Sequence, residues 1–149
     1  VLLGGAGHDL LRGGQFFDRL VGQEGNDTLE GLGGDDRIFG GIGEDRLDGG
    51  LGDDFLRGHD DADRISGGAG NDTLNGEAGD DSLYGGDGDD VVRGGMGNDH
   101  AAGGAGFDRV FAQAGYDSLC SDDGDLLVGT IEEIDRCATV FTDWADQLG

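Results

Sequence analysis

The sequence predicts an all-β solenoid with two short-stranded parallel sheets, in which two nonapeptides, or about 18 residues, form each coil. Three observations predict this fold. A nine-residue period runs without insertion or deletion from Gly4 to Cys120, which gives thirteen consecutive repeats. One position of the repeat is always apolar, and the 149 residues include 35 glycines and no proline. So short a period is typical of solenoids, in which each unit packs only on its neighbours.

Positions seven to nine of each repeat are predicted to form a strand. With Gly4 as position one, Thr73, Leu74 and Asn75 occupy these positions in the eighth repeat, and their side chains should point outward, inward and outward. Position eight is apolar in every repeat: Leu11, Leu20, Leu29, Ile38, Leu47, Leu56, Ile65, Leu74, Leu83, Val92, Ala101, Val110 and Leu119. These side chains should meet between the two sheets.

Positions one to six are predicted to form a glycine-rich turn. Position one is glycine except at Ala112, and position four is glycine except at Phe16 and Asp61. Glycine supplies the positive φ that tight turns need. Two nonapeptides then form one coil, so each repeat should stack on the second repeat after it. At position four of the second repeat, Phe16 should be strained in a left-handed conformation, whereas aspartate tolerates that conformation better at Asp61.

Aspartate occupies position six of all thirteen repeats: Asp9, Asp18, Asp27, Asp36, Asp45, Asp54, Asp63, Asp72, Asp81, Asp90, Asp99, Asp108 and Asp117. Stacked coils would place these carboxylates in columns about 4.8 Å apart, where they repel each other. The formal net charge is -24, which favours a cation as partner and disfavours nucleic acid. No apolar run is long enough to cross a bilayer.

The nonapeptide closely resembles the RTX (repeats-in-toxin, hemolysin-type) calcium-binding repeat, whose pattern is G-G-x-G-x-D-x-U-x. Residues 67–75 (GGAGNDTLN), 4–12 (GGAGHDLLR) and 40–48 (GGIGEDRLD) all follow it. The resemblance covers residues 1–120. It implies a right-handed parallel β-roll, extracellular calcium and export by a type I secretion machinery.

The resemblance implies that Ca²⁺ ions lie between the turns of repeats n and n+2, which allows up to about eleven ions in thirteen repeats. The thirteen position-six aspartates would supply side-chain ligands. Backbone carbonyls would come from Gly5, Gly7, Gly25, Gly34, Gly41, Gly43, Gly50, Gly52, Gly68, Gly70, Gly79, Gly86, Gly88, Gly95, Gly97, Gly104 and Gly106. Eleven dications would change the net charge of -24 to about -2.

Physical chemistry also favours calcium. One buried aliphatic side chain in nine residues is a small gain against the entropy of ordering them, so something must neutralise the aspartate columns. Ca²⁺ accepts six to eight oxygen ligands in loose geometry, whereas Mg²⁺ demands stricter geometry and retains its waters. Zn²⁺ prefers histidine and cysteine, and the chain has three histidines (His8, His59, His100) and two cysteines.

The expected function is a non-catalytic calcium-binding module of a larger secreted or cell-surface protein, whose remainder is a further partner. The serines lack a repeated histidine partner, and no phosphate-binding loop is present. Two alternatives stay open: a structural or adhesive stalk, and a partner-docking module of a surface protein or secreted hydrolase. The outward positions of even-numbered repeats, rich in arginine and aromatic residues, fit docking or strand propensity alone.

The sequence leaves the repeat after Cys120, so we expect a roll over residues 1–120 and a capping segment over 121–149. The capping segment resembles the C-terminal secretion signals of RTX proteins, and both roles are compatible. Residues 125–134 still indicate strand and turn. If 121–128 is a shortened repeat, Cys137 falls one coil after Cys120, within disulfide range, although Arg136 would then point inward. Whether the two cysteines form a bridge is left open.

Overall fold

A computed structural model describes residues 1–121, 124–129 and 133–136, which form sixteen β-strands and no helix. We call the two eight-stranded sheets sheet I and sheet II. Sheet I contains β1 (Leu2–Ala6), β3 (Arg19–Glu24), β5 (Arg37–Ile42), β7 (Phe55–Asp60), β9 (Thr73–Ala78), β11 (Val91–Met96), β13 (Arg109–Phe111) and β15 (Leu126–Val128). Sheet II contains β2 (Leu10–Gly14), β4 (Thr28–Gly33), β6 (Arg46–Leu51), β8 (Arg64–Ala69), β10 (Ser82–Asp87), β12 (His100–Ala105), β14 (Ser118–Ser121) and β16 (Glu133–Arg136).

All strand pairs are parallel, and each strand pairs with strands two places away in sequence. In sheet I, Leu20 is in register with Ile38, and Ile38 is in register with Leu56. The same offset of two repeats holds in sheet II, where Leu29 is in register with Leu47. The predicted solenoid of two parallel sheets with two repeats in each coil is therefore confirmed.

The strands are longer than the sequence predicts. β4, for example, contains positions seven to nine of the third repeat and continues through positions one to three of the fourth repeat. The turn proper is reduced to positions four to six. The prediction was wrong here because glycine content was equated with turn, whereas stacked identical coils pair their backbones even along a glycine-rich segment.

The core is a file of the position-eight side chains between the two sheets, whose exposure is between 0 and 5 %. Ala112, at position one, also belongs to the core. Leu2 and Leu127 pack against the two ends of this file. Within the described residues, no helix is long and apolar enough to cross a membrane.

The last two strands extend both sheets beyond the thirteenth repeat. Leu127 is in register with Val110. The two residues are one residue closer in sequence than the two-repeat offset requires, which fits a shortened repeat. Ile134 is in register with Leu119, and Asp135 with Cys120. The placement of Cys137 one coil after Cys120 was therefore wrong, because the chain loses further residues between β15 and β16.

The capping role of the C-terminal segment falls mostly on residues 137–149, outside the described residues. Cys120 is 5 % exposed and takes part in a disulfide. Cys137, the chain's other cysteine, lies outside the described residues.

Candidate metal centre

The turns lie along two edges of the roll. The turns of odd-numbered repeats lead from sheet I to sheet II and form what we call the odd-turn edge, and those of even-numbered repeats form the even-turn edge. Within an edge, each turn stacks on the turn two repeats later. The position-four amide of Gly25 donates to the position-three carbonyl of Ile42 in the next coil, at 2.8 Å. In the other direction, the position-six carbonyl oxygen of Asp9 accepts a hydrogen bond from the position-seven amide of Thr28 in the next coil, at 2.8 Å.

Positions two and four adopt the left-handed backbone conformation in most repeats. In the fifth repeat φ is 134° at Gly41 and 119° at Gly43. The other glycines expected to offer carbonyls share it: Gly5, Gly7, Gly25, Gly34, Gly50, Gly52, Gly68, Gly70, Gly79, Gly86, Gly88, Gly95, Gly97, Gly104 and Gly106. At position four a second constraint acts, because a Cβ on Gly43 would lie 2.6 Å from the carbonyl oxygen of Gly25.

Several residues share this conformation although sequence analysis did not name their carbonyls as ligands. Position two is occupied by Gln23, Leu32, His59 and Glu77, with φ between 77° and 92°. Gly115 (φ 146°) occupies position four, as does Asp61 (φ 75°), which was expected to tolerate this conformation. Their carbonyls are equivalent to those of the glycines. The place in the repeat identifies them, because at these positions the surrounding coils impose the conformation on residues other than glycine as well.

The position-six aspartates form a hydrogen-bonded column along each edge. The amide of Asp9 donates to Oδ1 of Asp27, and the amide of Asp27 donates to Oδ1 of Asp45, each at 2.8 Å. The same bond recurs between every aspartate and the next on its edge, at 2.6–3.1 Å. The columns include all thirteen predicted aspartates and also Asp125, which sequence analysis did not include because it lies in the shortened repeat.

In most of these aspartates the second carboxylate oxygen, Oδ2, has no such bond. From the third repeat onward, the position-six side chains are 0–3 % exposed. Among the described residues, buried Oδ2 atoms without a hydrogen-bond partner belong to Asp9, Asp27, Asp36, Asp45, Asp54, Asp63, Asp72, Asp81, Asp90, Asp99 and Asp117. Burying an unpaired charged oxygen is costly, and native proteins rarely tolerate it. A file of such atoms therefore requires a cation or a proton at each one.

Burial changes the acid–base chemistry of the columns. Desolvation raises the pKa of Asp63 from 3.8 to about 8, and the neighbouring charges of Asp81 and Asp45 add to the rise, while the hydrogen bond from the Asp45 amide opposes it. Burial likewise raises the pKa of Asp54, Asp72 and Asp81 to about 7 and that of Asp45, Asp90 and Asp99 to about 6. The pKa of Asp36 is raised for the same reason.

Position one is glycine because of space, since its φ is not left-handed. A Cβ on Gly4 would lie 2.8 Å from Oδ2 of Asp9 and 2.7 Å from the carbonyl oxygen of Gly22. Every position-one glycine has the aspartate of its own repeat as a neighbour in this way. The glycine thus creates the space in which the buried carboxylate lies.

A second ladder, which sequence analysis missed, runs along the outside of the turns. Position-five side chains accept hydrogen bonds from the position-five amide of the next coil. The Asp53 amide donates to Oδ1 of Asp35 at 3.1 Å, and the Asn71 amide donates to Oδ1 of Asp53 at 2.8 Å. The two ladders run in opposite directions along the roll. At position five the side chain of the earlier coil accepts from the amide of the later coil, whereas at position six the side chain of the later coil accepts from the amide of the earlier coil. Asparagine and aspartate at position five are the sequence signal for it.

The second repeat departs from the pattern, and differently from the expectation. Phe16 does not have a positive φ, and neither does Gly14. The expected left-handed strain at Phe16 was therefore wrong, because the turn reorganises and places the Phe16 side chain in solvent, 82 % exposed. The stacking of the next coil on this turn also differs. A Cβ on Gly34 would lie nearest the carbonyl carbon and Cα of Phe16, at 2.6 and 2.8 Å. For the other position-four glycines that stack on an earlier turn, the nearest atom is the carbonyl oxygen of the residue below.

Within the described ranges, no three histidine, cysteine, aspartate or glutamate side chains converge as a metal site. Such convergence is not expected here, because each pair of stacked turns contributes only two position-six carboxylates. Each turn also offers backbone carbonyl oxygens, which suit Ca²⁺ but not Zn²⁺.

Comparison with known families agrees with this geometry. A family profile that contains four copies of the RTX calcium-binding nonapeptide repeat matches residues 1–20, 12–47, 21–56, 39–74, 57–92, 66–101 and 93–125. These matches cover most of the 149 residues.

The chain belongs to the RTX calcium-binding nonapeptide repeat family. Its repeats are therefore RTX repeats that form a β-roll, and RTX repeats bind calcium. No curated protein matches the chain significantly.

One observation above all supports calcium as the ion that the oxygen atoms of this RTX roll would bind. The buried Oδ2 atoms are carboxylate oxygens without partners, and all but that of Asp117 lie in turns whose position-two and position-four backbones are both held in the left-handed conformation. Hard oxygen ligands of mixed carboxylate and carbonyl type are those that Ca²⁺ prefers.

Proposed function

We propose that this chain is a non-catalytic module of a larger secreted or cell-surface protein, which folds and stabilises when it binds extracellular Ca²⁺. The supporting observation is the file of buried carboxylate oxygens without partners along both edges of the roll. In the absence of a cation their mutual repulsion and desolvation oppose folding. Bound calcium supplies the positive charge that makes their burial favourable.

The residues that would hold the ions are the position-six aspartates of repeats n and n+2 and the position-two and position-four carbonyls between them. This includes the carbonyls of Gln23, Leu32, His59, Glu77 and Asp61, in addition to those of the glycines. Up to about eleven ions fit thirteen repeats. The proposed division remains a roll over residues 1–120 followed by a capping segment over 121–149.

The proposal connects folding with location. Calcium modules that work outside cells bind with dissociation constants of about 10⁻⁴–10⁻³ M. A module of this affinity stays unfolded at low cytosolic calcium and folds in the calcium-rich exterior, which suits passage through a type I secretion machinery. The remainder of the parent protein is then the part whose export and stability the module supports.

Circular dichroism tests the proposal directly. The chain in EDTA should be largely disordered, and calcium should produce a β spectrum with a titration steeper than independent sites allow, because neighbouring coils stabilise each other. Magnesium at the same concentration is the control and should not produce the spectrum. A β spectrum that is unchanged in EDTA would disprove the calcium requirement.

A further inference from the structure

At positions seven and nine, the outer face of sheet I has a charge opposite to that of the whole chain. Positions seven and nine of β3, β5, β7, β9, β11 and β13 give twelve outward side chains. They include five arginines and no aspartate or glutamate. The arginines are Arg19, Arg37, Arg57, Arg93 and Arg109. In a chain of net charge -24, this is a localised positive surface.

Four of these five arginines lie over aromatic rings. The guanidinium of Arg19 lies 5.4 Å from the ring centroid of Phe39, and that of Arg57 lies 5.5 Å from the ring of Phe55. Further along the roll, Arg93 and Arg109 both lie over Phe111, at 5.0 and 5.5 Å. Stacking of this kind restricts the guanidinium and leaves its N–H edge available for hydrogen bonds. We call this surface the arginine–phenylalanine face.

Three of these guanidiniums, those of Arg19, Arg37 and Arg109, belong to exposed residues. Within the described residues they make no ion pair with a carboxylate. Arg57 differs, because its Nε lies 3.1 Å from Oε1 of Glu77. Arg19 and Arg37 are in direct register on neighbouring strands, where like charges repel. Two adjacent guanidiniums without an ion pair are a suitable receptor for carboxylates.

The outer face of sheet II lacks this organisation. Its three arginines at the same repeat positions are Arg12, Arg46 and Arg64. Arg12 is paired with Glu30 at 2.7 Å, and the positive charge of Arg46 lowers the pKa of nearby Asp48, which burial raises overall. In the described part of the chain, no cation–π contact involves an arginine of this face. The two faces therefore differ in arrangement, although both contain arginine.

The geometry points to the arginine–phenylalanine face as the docking surface for an acidic polypeptide segment. Charge complementarity selects an anionic partner. A polypeptide is favoured over a sugar chain because the rings of Phe39, Phe55 and Phe111 already have guanidiniums stacked on them, so the exposed chemistry is that of N–H donors. Arginine and aromatic residues are also the types that dominate binding energy in protein interfaces. The partner's carboxylates bind Arg19, Arg37 and Arg109.

Fluorescence anisotropy with a labelled deca-glutamate peptide tests this docking, at millimolar calcium and low ionic strength. The wild-type chain should bind, and the triple variant Arg19→Gln, Arg37→Gln, Arg109→Gln should bind at least about tenfold more weakly. The matched control is Arg12→Gln, Arg46→Gln, Arg64→Gln, which removes the same charge from sheet II and should weaken binding less than about twofold. Circular dichroism in calcium verifies that each variant retains the roll.

A second variant changes no charge. Phe111→Leu removes the platform beneath Arg93 and Arg109 and should weaken peptide binding about threefold. Equal weakening by the two triple variants would show only general electrostatic attraction and would overturn the proposal. So would a wild-type chain that binds dextran sulfate but not the peptide, or a Phe111→Leu variant with unchanged affinity. These results are independent of the calcium proposal, which circular dichroism tests alone.

Discussion

The amide of Asp45 donates a hydrogen bond to Oδ1 of Asp63 at 2.8 Å, while Oδ2 of Asp63 is buried and without a partner. One carboxylate thus has two roles. Its first oxygen connects two coils, and its second is available to a cation. Since the same relationship recurs along both edges, the element that holds the coils together also makes the fold depend on neutralising charge.

Asp63→Asn should have opposite effects with and without calcium. Asparagine keeps an oxygen that accepts the Asp45 amide, but it removes a charge from a side chain that is 1 % exposed. The calcium-free fold should become more stable, because position 63 then needs neither a buried charge nor the uptake of a proton. The calcium-loaded fold should lose about 1–3 kcal/mol, because the ions between repeats five and seven and between repeats seven and nine lose a carboxylate.

Chemical denaturation with and without calcium measures both effects, and isothermal titration measures the bound ions. Asp80→Asn is the matched control, since Asp80 is exposed and its Oδ1 accepts from the amide of Asn98. It should change neither quantity appreciably. Loss of stability for Asp63→Asn in EDTA would contradict the interpretation of Oδ2 as an uncompensated charge.

The calcium-free roll should be more stable in mild acid than at neutral pH. Position-six carboxyls have pKa values raised from 3.8 to as high as about 8 in the fold. Between these values the folded chain binds more protons than the unfolded chain, so stability falls as pH rises through the window. β-structure in the absence of calcium should therefore increase as pH is lowered from about 8 to about 5.

Circular dichroism over this pH range checks the expectation. Protons and calcium compete for the same carboxylates, so the calcium concentration at the folding midpoint should rise as pH falls. Calcium-free chain that loses β-structure on acidification would show that the aspartates are not the groups that limit folding.

The period made much of the fold predictable. Leu20, Ile38 and Leu56 follow at equal intervals, so their burial and their register were implied by spacing alone. The aspartate columns followed from the same spacing. The predicted strands were too short, because glycine content was interpreted as turn. Glycine at position one instead reflects the lack of space for a Cβ beside Asp9.

Features that break the period were not predictable in this way. The register of Cys120 with Asp135 depends on how many residues the chain loses after β15, which no repeat position encodes. Phe16 shows the same limit. A repeat pattern states which conformation its glycine normally adopts, but not how a turn reorganises when a bulky residue replaces it.

The site between repeats two and four should bind calcium most weakly of all. Asp18 still donates its amide to Oδ1 of Asp36 at 2.7 Å, so the coils remain connected. However, the Asp18 side chain is 25 % exposed, and the Phe16 carbonyl oxygen is not the atom nearest Gly34. We therefore expect this site to lack one carbonyl ligand and part of the burial.

Phe16→Gly should restore the turn. Glycine at position four can adopt the left-handed conformation seen at Gly34 and Gly52, which returns its carbonyl to the column. Either one more ion should bind or the affinity at this site should rise about tenfold, as one added oxygen ligand implies.

Phe17→Gly is the control, because it removes a neighbouring exposed ring at position five, where glycine conformation is not required. Isothermal titration gives the stoichiometry, and anomalous scattering locates the ions. A fully occupied ion between Asp18 and Asp36 in the unaltered chain would refute this ranking, as would an equal gain from Phe17→Gly.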